Sequence, residues 1–444
     1  MTMDEELRAT IRSRVADENV KHIQLWFTDI LGNLKMIEIP DRQLENVLES
    51  GAPFDGSSIA GYAEVEESDI VAMPDWRTFK VLPWSQDHER TAFVFCDILD
   101  RDYKPFEGDP RWVLRRQLGR AADMGLDFYV GPELEYFYFR DGDSPGLTDE
   151  GGYFDVLPAN LGNDLRKQTM RALDRLDIPM EASHHEVAPS QHEIDPHYDE
   201  ALVMADRVMI SRLIVKEVAA QNGVYATFMP KPLHGMNGSG MHVHQSLFRG
   251  EENAFFDRSD PNHLSAIAKG FIAGQLRHMR EICSVLNQWV NIFKRLVPGF
   301  EAPVYVSWAH RNRTALIRVP LYIQGKESTV RAELRNPDPA ANPYLAFAVM
   351  LAAGLEGIEQ GYELPPGVEP NIYAMAAEER EAAGLTMLPN NLYEAITETQ
   401  KSDLVRRALG DHAFERFVTN KLNEWYEYRE QVTDFEIKRY FSVL

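Results

Sequence analysis

A short acidic stretch from Glu181 to Glu193 holds the side chains of this sequence that are best suited to chemistry. It reads Glu-Ala-Ser-His-His-Glu-Val-Ala-Pro-Ser-Gln-His-Glu. The Pro189-Ser190 pair in its middle predicts a bend in the backbone, across which Glu186 and Glu193 can face each other. Two converging carboxylates indicate a cation site, although a solvated acidic loop is the alternative for this stretch on its own.

A second acidic pair lies in the strand-like stretch Gly131-Pro-Glu-Leu-Glu135. Side chains alternate between the two faces of a strand, so Glu133 and Glu135 project from the same face. Like charges on one face repel each other unless a cation lies between them. An exposed face of an antiparallel sheet would explain the pair without any cation.

A glycine-rich stretch, Asn237-Gly-Ser-Gly-Met-His242, leads into a third strand. Its glycines allow a ligand to approach the backbone closely, but they fit neither the phosphate-loop pattern nor the dinucleotide fingerprint. Beyond them, His242, His244 and Ser246 share one strand face. His242 can complete a carboxylate-rich metal site, and a structural histidine is the alternative.

Arginines are concentrated between Lys294 and Pro343 in an otherwise acidic chain. Arg331, Glu333 and Arg335 occupy alternate positions, which predicts a carboxylate between two guanidiniums on one strand face. A ladder of salt bridges would explain this spacing, but so many arginines favour binding of carboxylate or phosphate groups. Together with the glutamates and a single histidine, they predict Mg²⁺ or Mn²⁺ and phosphoryl transfer without a P-loop.

The bulk composition excludes several classes of protein. The chain has 444 residues, 44% of them apolar, and a net charge of −23, which argues against non-specific nucleic-acid binding. Two cysteines cannot form a disulfide framework, so a reducing cytoplasm is expected. The acidic N-terminus does not resemble a signal peptide, and no apolar run is long enough for a membrane span.

The elements predicted from periodicity fall into two domains. A helix over 4–19 and strands over 22–29, 34–39, 78–82 and 91–97 predict a small α+β domain, 1–104. The Pro- and Gly-containing segment 104–110 marks the boundary. Long helices predicted over 111–124, 161–175, 199–222, 261–285 and 342–360 alternate with strands in a second domain, 105–444, which predicts a sheet with helices packed against it.

The chain resembles a known family, the class I glutamine synthetases, over nearly its full length. The matching motifs are Phe54-Asp-Gly-Ser-Ser58, Gly131-Pro-Glu-Leu-Glu135, His184-His-Glu-Val-Ala188, Asn237-Gly-Ser-Gly-Met-His242, Lys294-Arg-Leu-Val-Pro-Gly299, Glu301-Ala-Pro303, Asn312-Arg313 and Asn336-Pro-Asp-Pro-Ala-Ala-Asn-Pro-Tyr344. Each motif is modest alone, but their order and spacing together are specific.

The resemblance implies an α+β fold with two parts. The N-terminal domain would be β-grasp-like, and the catalytic domain would have a curved antiparallel sheet backed by helices, as in guanido kinases, and a C-terminal helical tail. The implied reaction is the ATP-dependent ligation of ammonia to glutamate through γ-glutamyl phosphate, which gives glutamine, ADP and phosphate.

The site residues implied by the resemblance fall into four groups. Two to three Mg²⁺ or Mn²⁺ ions would be held, one by Glu135, Glu186 and Glu193, and another by Glu133, His242 and Glu333. ATP would contact Glu181, Tyr198, His244, Ser246, Lys326 and Arg331. Glutamate would be bound by Arg295, Asn237 and Gly238, with Arg335 nearby, and the transferred phosphoryl group by Arg313 and Arg318. Ammonium would be held by Asp55, Ser58, Tyr153, Glu186 and Glu301, with Asp55 as the base and Glu301 on a shielding flap.

The resemblance also implies a dodecamer of two stacked hexamers, in which Asp55 and Ser58 serve the active site of the neighbouring subunit. The C-terminus is compatible with ring contacts. An apolar stripe formed by Phe414, Val418, Leu422 and Trp425 precedes a capping box, Thr433-Asp-Phe-Glu436, and a last helix. Ordinary packing within the chain is the alternative, and regulatory proteins are possible further partners.

Two positions depart from patterns within the family. Glu64 stands where one subgroup uses an arginine in glutamine feedback, so weaker feedback through this route is expected. Tyr373 aligns with a tyrosine that another subgroup adenylylates, but the residues after it differ, so an unmodified tyrosine is expected.

Two other functions stay open. A γ-glutamyl ligase of the same architecture could use a larger amine, such as a polyamine or ethanolamine. A non-catalytic relative is the other alternative, but such a protein would have no reason to keep all six candidate metal ligands.

Overall fold

A computed structural model of the chain describes residues 5–61, 69–85 and 88–444. Glu64 lies outside these residues. The N-terminal part contains helices α1 (Glu5–Asp17) and α2 (Leu44–Ser50) and strands β1 (Val20–Thr28), β2 (Leu34–Pro40), β3 (Ala52–Asp55), β4 (Asp69–Pro74), β5 (Lys80–Val81) and β6 (Arg90–Leu99). Its sheet has the order β2-β1-β6-β4-β3, with β5 also paired to β6.

The strands predicted over 22–29 and 34–39 pair as the hairpin β1-β2, and its tip also contacts the second part of the chain. Gly32 has a positive φ of 82°, and a Cβ there would lie only 2.9 Å from the Cα of Asn342. Asn342 in turn donates to the backbone carbonyls of Asp29 and Ile30, each at 3.2 Å. The hairpin tip is therefore inserted against the catalytic part of the chain, which explains why a glycine is needed there.

The remainder of the chain forms a second, larger layered structure. Its helices are α3 (Pro110–Asp123), α4 (Leu161–Asp174), α5 (Ala201–Gln221), α6 (Ala266–Leu286), α7 (Pro343–Glu359), α8 (Ala377–Ala382), α9 (Leu392–Gln400), α10 (Asp403–Leu409), α11 (Asp411–Arg429) and α12 (Asp434–Tyr440). Its strands are β7 (Asp127–Phe139), β8 (Met180–His185), β9 (Gln191–Pro196), β10 (Asp199–Glu200), β11 (Tyr225–Thr227), β12 (Met241–Arg249), β13 (Glu252–Asn253), β14 (Trp308–Ala309), β15 (Ile317–Arg318) and β16 (Ala332–Leu334). The long predicted helices are confirmed to within a few residues at each end.

The large sheet runs in the order β14-β15-β16-β12-β7-β9-β8, with β10 and β11 on β7 and β13 on β12. Every pair is antiparallel except β14 with β15. Helices α6 and α7 lie side by side in the layer behind it. A Cβ at Gly274 would collide with the backbone of α7, so the small residue sets how closely the two helices approach.

The two parts share apolar packing and a buried ion network. Along β1, Leu25 and Phe27 pack into the core of the small sheet, whereas Trp26 packs into the large core, so the small sheet is buried on both faces. Arg111, whose side chain is 3% exposed, pairs with Asp75 and Asp97 of the small sheet and with Asp206 of α5. The placement of the domain boundary at residue 104 stays a prediction.

One predicted strand is largely wrong. Residues 76–78 form a 3₁₀ turn, and only Lys80 and Val81 of the predicted strand 78–82 pair with β6. The cause is the side chain of Thr78, which donates to the carbonyl of Asp75 at 2.8 Å and accepts from the amide of Phe95 at 2.8 Å. A local side-chain bond therefore replaces the ladder bond that β propensity favours.

The C-terminal stripe packs within the chain, as the alternative for it proposed. Phe414 and Val418 are buried, and Leu422 and Trp425 pack against the same core. After the predicted capping box at Thr433, apolar side chains face solvent. None of the described helices is long and apolar enough to span a bilayer, and the cytoplasmic location stays a prediction.

Candidate active site

Strand register brings the predicted acidic residues together on one face of the large sheet. His242 on β12 lies opposite Glu133 on β7, and Glu135 lies opposite Glu193 on β9. On the other side of β12, Glu333 on β16 is opposite His244. Because residues opposite each other in a ladder point to the same face about 5 Å apart, the pairing alone builds a dense cluster of carboxylates and imidazoles.

The first candidate metal group is Glu133, His242 and Glu333, whose ligand atoms lie within 4.8 Å of one another. Glu133 contacts both histidines, at 2.9 Å to His242 Nδ1 and 2.8 Å to His244 Nε2. Burial disfavours the charged form of Glu133, but the hydrogen bonds to the two histidines outweigh it and hold its pKa well below the usual range. This carboxylate is ionised and ready to bind a cation.

The second candidate group contains Glu135, Glu186 and Glu193. Burial, followed by repulsion from neighbouring carboxylates, raises the pKa of Glu135 to about 7 and that of Glu186 to about 8, and it raises the pKa of Glu193 well above its usual value. His184 lies between Glu186 and Glu193, at 3.5 Å and 2.9 Å. A divalent cation would relieve this crowding, and an oxygen-rich set fits Mg²⁺ or Mn²⁺.

Two further residues of this group were missed by sequence reasoning. Asp195 lies close enough to Glu193 and His184 to share a cation with them. It follows Glu193 by two positions on β9, so strand alternation could have found it. Gln191 donates to Glu135 at 3.0 Å and fixes that carboxylate, but a glutamine gives no sequence signal for such a role.

One of the two arginines predicted to flank Glu333 is wrong. Arg335 contacts Glu333 at 3.1 Å as expected, but the second guanidinium belongs to Arg318 on β15, at 2.7 Å. Arg331 donates to His244 Nδ1 at 3.0 Å instead. Arg331 precedes β16, which begins at Ala332, so strand alternation does not hold at that position.

A cavity of about 280 Å³ opens beside Glu133 and contains most of the predicted nucleotide contacts. It is lined by Tyr129, Glu133, Glu181, Asp195, Tyr198, His244, Ser246, Ser328, Thr329 and Arg331, among others. Lys326 is exposed and does not line this cavity within the described part of the chain. A larger cavity of about 900 Å³ beside Trp308 shares no lining residue with it, and none of the candidate metal groups among the described residues lines it.

The predicted glutamate contacts gather around Arg295, next to Glu135. Arg295 is 3% exposed, and its guanidinium donates to the carbonyls of Asn336 and Arg335 at 3.1 Å and 3.3 Å. A Cβ on Gly240 would overlap this guanidinium and lie 2.9 Å from its Cζ. The glycine-rich stretch therefore packs against the guanidinium of Arg295, and the missing side chain at Gly240 leaves room for it.

The predicted flap residue Glu301 also reaches this region. Its carboxylate accepts a bond from the Asn237 side chain at 3.4 Å, and its own φ is positive, at 57°. The next carbonyl, that of Ala302, accepts a bond from the Tyr373 hydroxyl at 2.5 Å. Gly238, beside Asn237, faces the stem of Arg295.

The remaining predicted residues divide into two groups. Tyr153 is 45% exposed, with its ring 5.6 Å from that of His184, and Arg313 accepts at its carbonyl from Arg335. Asp55 and Ser58 are also exposed, but they lie at or just beyond β3, the edge strand of the small sheet. The structure thus gathers the predicted site residues of the large sheet and leaves Asp55 and Ser58 at the edge of the small sheet.

Comparison with known families agrees with this geometry. The family described as glutamine synthetase, catalytic domain, matches residues 107–440, and the glutamine synthetase beta-Grasp domain matches residues 19–101. The chain belongs to the glutamine synthetase family. This confirms the predicted family and fold class, with a β-grasp N-terminal part and a large catalytic part.

Known relatives support the same assignment over the full length. A glutamine synthetase of Mycolicibacterium smegmatis is 49% identical over 99% of this chain and 100% of its own, and one of Thermotoga maritima is 48% identical over 97% and 98%. The structure also resembles that of Plasmodium falciparum glutamine synthetase, with a TM-score of 0.87, 25% identity and 98% coverage of both chains. The protein is therefore an enzyme, a glutamate–ammonia ligase, and its family implies ATP, a divalent metal and an oligomer.

Proposed function

We propose that this glutamine synthetase uses ammonia itself as the amine and works through γ-glutamyl phosphate with two to three Mg²⁺ or Mn²⁺ ions. The observation that carries the proposal is the position of the carboxylate cluster. Glu133 and Asp195 line the cavity assigned to the nucleotide, whereas Glu135 lies beside Gly240, next to the buried Arg295, so phosphate donor and glutamate would meet at the carboxylates.

The proposed metal ligands divide into two sets, as the resemblance implies. Glu133, His242 and Glu333 would hold one ion, and Glu135, Glu186 and Glu193 would hold another. When bound, the ions supply charge neutralisation and orient the reacting oxygens. Gln191 and the amide of Gly240 each donate to Glu135 at 3.0 Å, which fixes that ligand in place.

Arginines would neutralise the transferred phosphoryl group. Arg318 and Arg335 both contact Glu333, so they lie where that group must pass between the two substrates. Arg295 would bind glutamate, and Arg331, fixed by His244, would bind the nucleotide at the cavity wall. Guanidiniums suit these roles because their planar forks match carboxylate and phosphate oxygens.

The ammonium site would combine residues of two subunits. Glu186, Tyr153 and Glu301 come from the large sheet and its loops, whereas Asp55 and Ser58 would come from a neighbour. Both are exposed at the edge of the small sheet, which suits a contribution to another chain. Together with the exposed apolar C-terminal tail, this supports the proposal of a dodecamer of two hexameric rings.

The decisive experiment measures ADP and amide product with ATP, glutamate and Mg²⁺ in four parallel reactions, without amine and with ammonium, putrescine or ethanolamine. Turnover with ammonium alone, with glutamine as product, is expected. Fast turnover with an organic amine would show that this amine, and not ammonia, is the acceptor. A Glu333→Ala variant serves as the control, because loss of a metal ligand should abolish release of ADP.

Subunit sharing has its own test. An inactive Asp55→Ala protein is mixed with an inactive Glu333→Ala protein after dissociation, and the pair is reassembled. If each site draws Asp55 from a neighbour, mixed rings should regain part of the activity. No recovery in reassembled rings would refute a shared site.

A further inference from the structure

A buried cluster behind the proposed metal ligands contains three residues of metal-binding type: Asp149, His185 and His192. One ligand atom from each lies within 4.8 Å of the others. His192 is fully buried, and its Nε2 lacks a hydrogen-bond partner within the described part of the chain. None of the predicted site residues belongs to this cluster, so its role needs a separate account.

The contacts of His192 exclude a metal ion. Arg166 Nη1 lies 2.5 Å from His192 Nδ1. A guanidinium can only donate, so Nδ1 is the acceptor and the ring proton is on Nε2. A protonated ring nitrogen is not a metal ligand.

Asp149 is instead the centre of a dense set of hydrogen bonds. Its Oδ1 lies 2.8 Å from His185 Nε2, 2.9 Å from the amide of Ser190 and 3.1 Å from the amide of Gly151. Its Oδ2 accepts from the Asn160 side chain at 3.2 Å. Such a set of donors satisfies a buried carboxylate fully, and hydrogen bonds to a charged group are stronger than those between neutral groups.

These bonds join two segments of the active site. Residues 148–160, between β7 and α4, carry Tyr153. Residues 186–191, between β8 and β9, carry Glu186. Both side chains belong to the proposed ammonium site, and neither segment is part of a helix or strand over most of its length. Their relative position therefore depends on contacts between the loops.

Further hydrogen bonds hold the same two segments together. The hydroxyl of Ser190 accepts from the amide of Thr148 at 2.8 Å, and the amide of Phe154 donates to the carbonyl of His185 at 3.1 Å. His185 Nδ1 lies 2.7 Å from the carbonyl of Glu186. The imidazole of His185 thus connects Asp149 directly to the backbone of a proposed metal ligand.

We propose that Asp149 is a positioning residue that fixes the separation of Tyr153 from Glu186 and thereby shapes the ammonium pocket. The inference rests on the proposed function, because it assumes that these two side chains hold ammonium. Asp149 itself acts through His185 and Ser190 and does not touch the substrate.

The test is an Asp149→Asn variant in the full-length, assembled enzyme. The amide keeps the size of the side chain but replaces one acceptor oxygen with an NH₂ group that faces donors, so the loop must shift. The KM for ammonium should rise at least tenfold, while the KM values for ATP and glutamate change less than twofold. The ratio of ADP released to glutamine formed should also rise, because water competes with poorly held ammonia.

A matched control lies in the same connection between β7 and α4. Asp141 caps a turn by accepting from the amides of Asp143 and Ser144 at 3.1 Å and 3.0 Å, and it is exposed. Asp141→Asn should leave all three KM values unchanged. If Asp149→Asn does not fold, Ser190→Gly removes the hydroxyl bond to Thr148, relaxes the positive φ of 63° at Ser190 and should raise the same KM.

Each outcome has a defined meaning. A normal ammonium KM in folded Asp149→Asn, or a uniform loss of kcat with that KM unchanged, would overturn the inference. So would one equivalent of tightly bound zinc in the wild type that disappears in the variant. If the wild type makes no glutamine from ammonium, the proposed function fails instead, which keeps the two failures distinct.

Discussion

Substitution of Gly240 by alanine tests whether the glycine-rich stretch exists to hold Arg295. The added Cβ would overlap the guanidinium and lie 2.9 Å from its Cζ. Because carbon atoms in good contact are about 3.5–4.0 Å apart, the guanidinium must retreat by roughly 0.6 Å or more. Arg295 is buried and bonded to two backbone carbonyls, so it cannot swing into solvent to make room.

The expected cost follows from that displacement. A misplacement of about 1 Å at a substrate-positioning group can reduce catalysis about a hundredfold. We therefore expect kcat/KM for glutamate to fall between about tenfold and a hundredfold, while the KM for ATP stays within a factor of two, because the nucleotide cavity does not include Gly240.

The assay is steady-state ADP release with glutamate varied at saturating ATP, then with ATP varied at saturating glutamate. Gly119→Ala is the matched control, because Gly119 is in α3 with nothing within 4 Å of the added Cβ. That change should leave the kinetics unchanged and stabilise the helix by roughly 0.5–1 kcal/mol.

A second comparison shows whether the effect acts through Arg295. Gly240→Ala is combined with Arg295→Lys, which replaces the crowded guanidinium with a smaller ammonium group. If the overlap is the cause, the alanine should cost less in this background than in the wild type. An unchanged glutamate KM in folded Gly240→Ala, or equal costs in both backgrounds, would refute the reasoning.

Three further predictions concern the nucleotide, pH and modification. Arg331→Ala should raise the KM for ATP at least tenfold, whereas Lys326→Ala should raise it less than twofold, because of these two residues only Arg331 lines the cavity. Equal effects of the two substitutions in the kinetic assay would contradict this prediction. Burial opposes ionisation of Asp75, but its arginine partners outweigh burial and lower its pKa to about 2. Since the pKa of Asp75 is depressed in the folded state, its stabilisation is present above the usual pKa near 3.8 and is lost as pH falls towards 2. The difference in unfolding free energy between wild type and Asp75→Asn should therefore shrink by about 1.5 kcal/mol from pH 5 to pH 2.5, as measured by denaturant titration. Tyr373 donates its hydroxyl to a backbone carbonyl, so intact-mass spectrometry of the protein should show no adenylyl group.

Much of the fold could be predicted because long helices and short motifs carry strong local signals. The helices α5 and α7 are long runs rich in apolar residues, and most of the proposed metal ligands lie on strands whose alternation fixes which face each side chain occupies. The predicted pairing of Glu133 with Glu135 on one face therefore agrees with the register of β7.

Pairing between distant segments could not be predicted in the same way. Alternation places Glu333 on a face, but it does not reveal that Arg318 from another strand, and not Arg331, supplies the second guanidinium. Asp149 gave no signal at all, because a single aspartate in a polar loop has many possible roles until the loop around it is folded. The position of Lys326 depends on a loop conformation that its spacing from Arg331 does not determine.

The burial of α7 has a consequence for synthesis of the chain. This helix is apolar on every side and packs against α3, α5, α6 and α10, which span residues 110–409. At about 5–20 residues per second, roughly 15–60 seconds separate the appearance of α3 from that of α10. Until α7 has been synthesised, the apolar surfaces of α3, α5 and α6 that it covers stay exposed, and α7 itself then waits for α10. The catalytic part is therefore expected to need protection by chaperones on the ribosome and to form its core only near the end of translation.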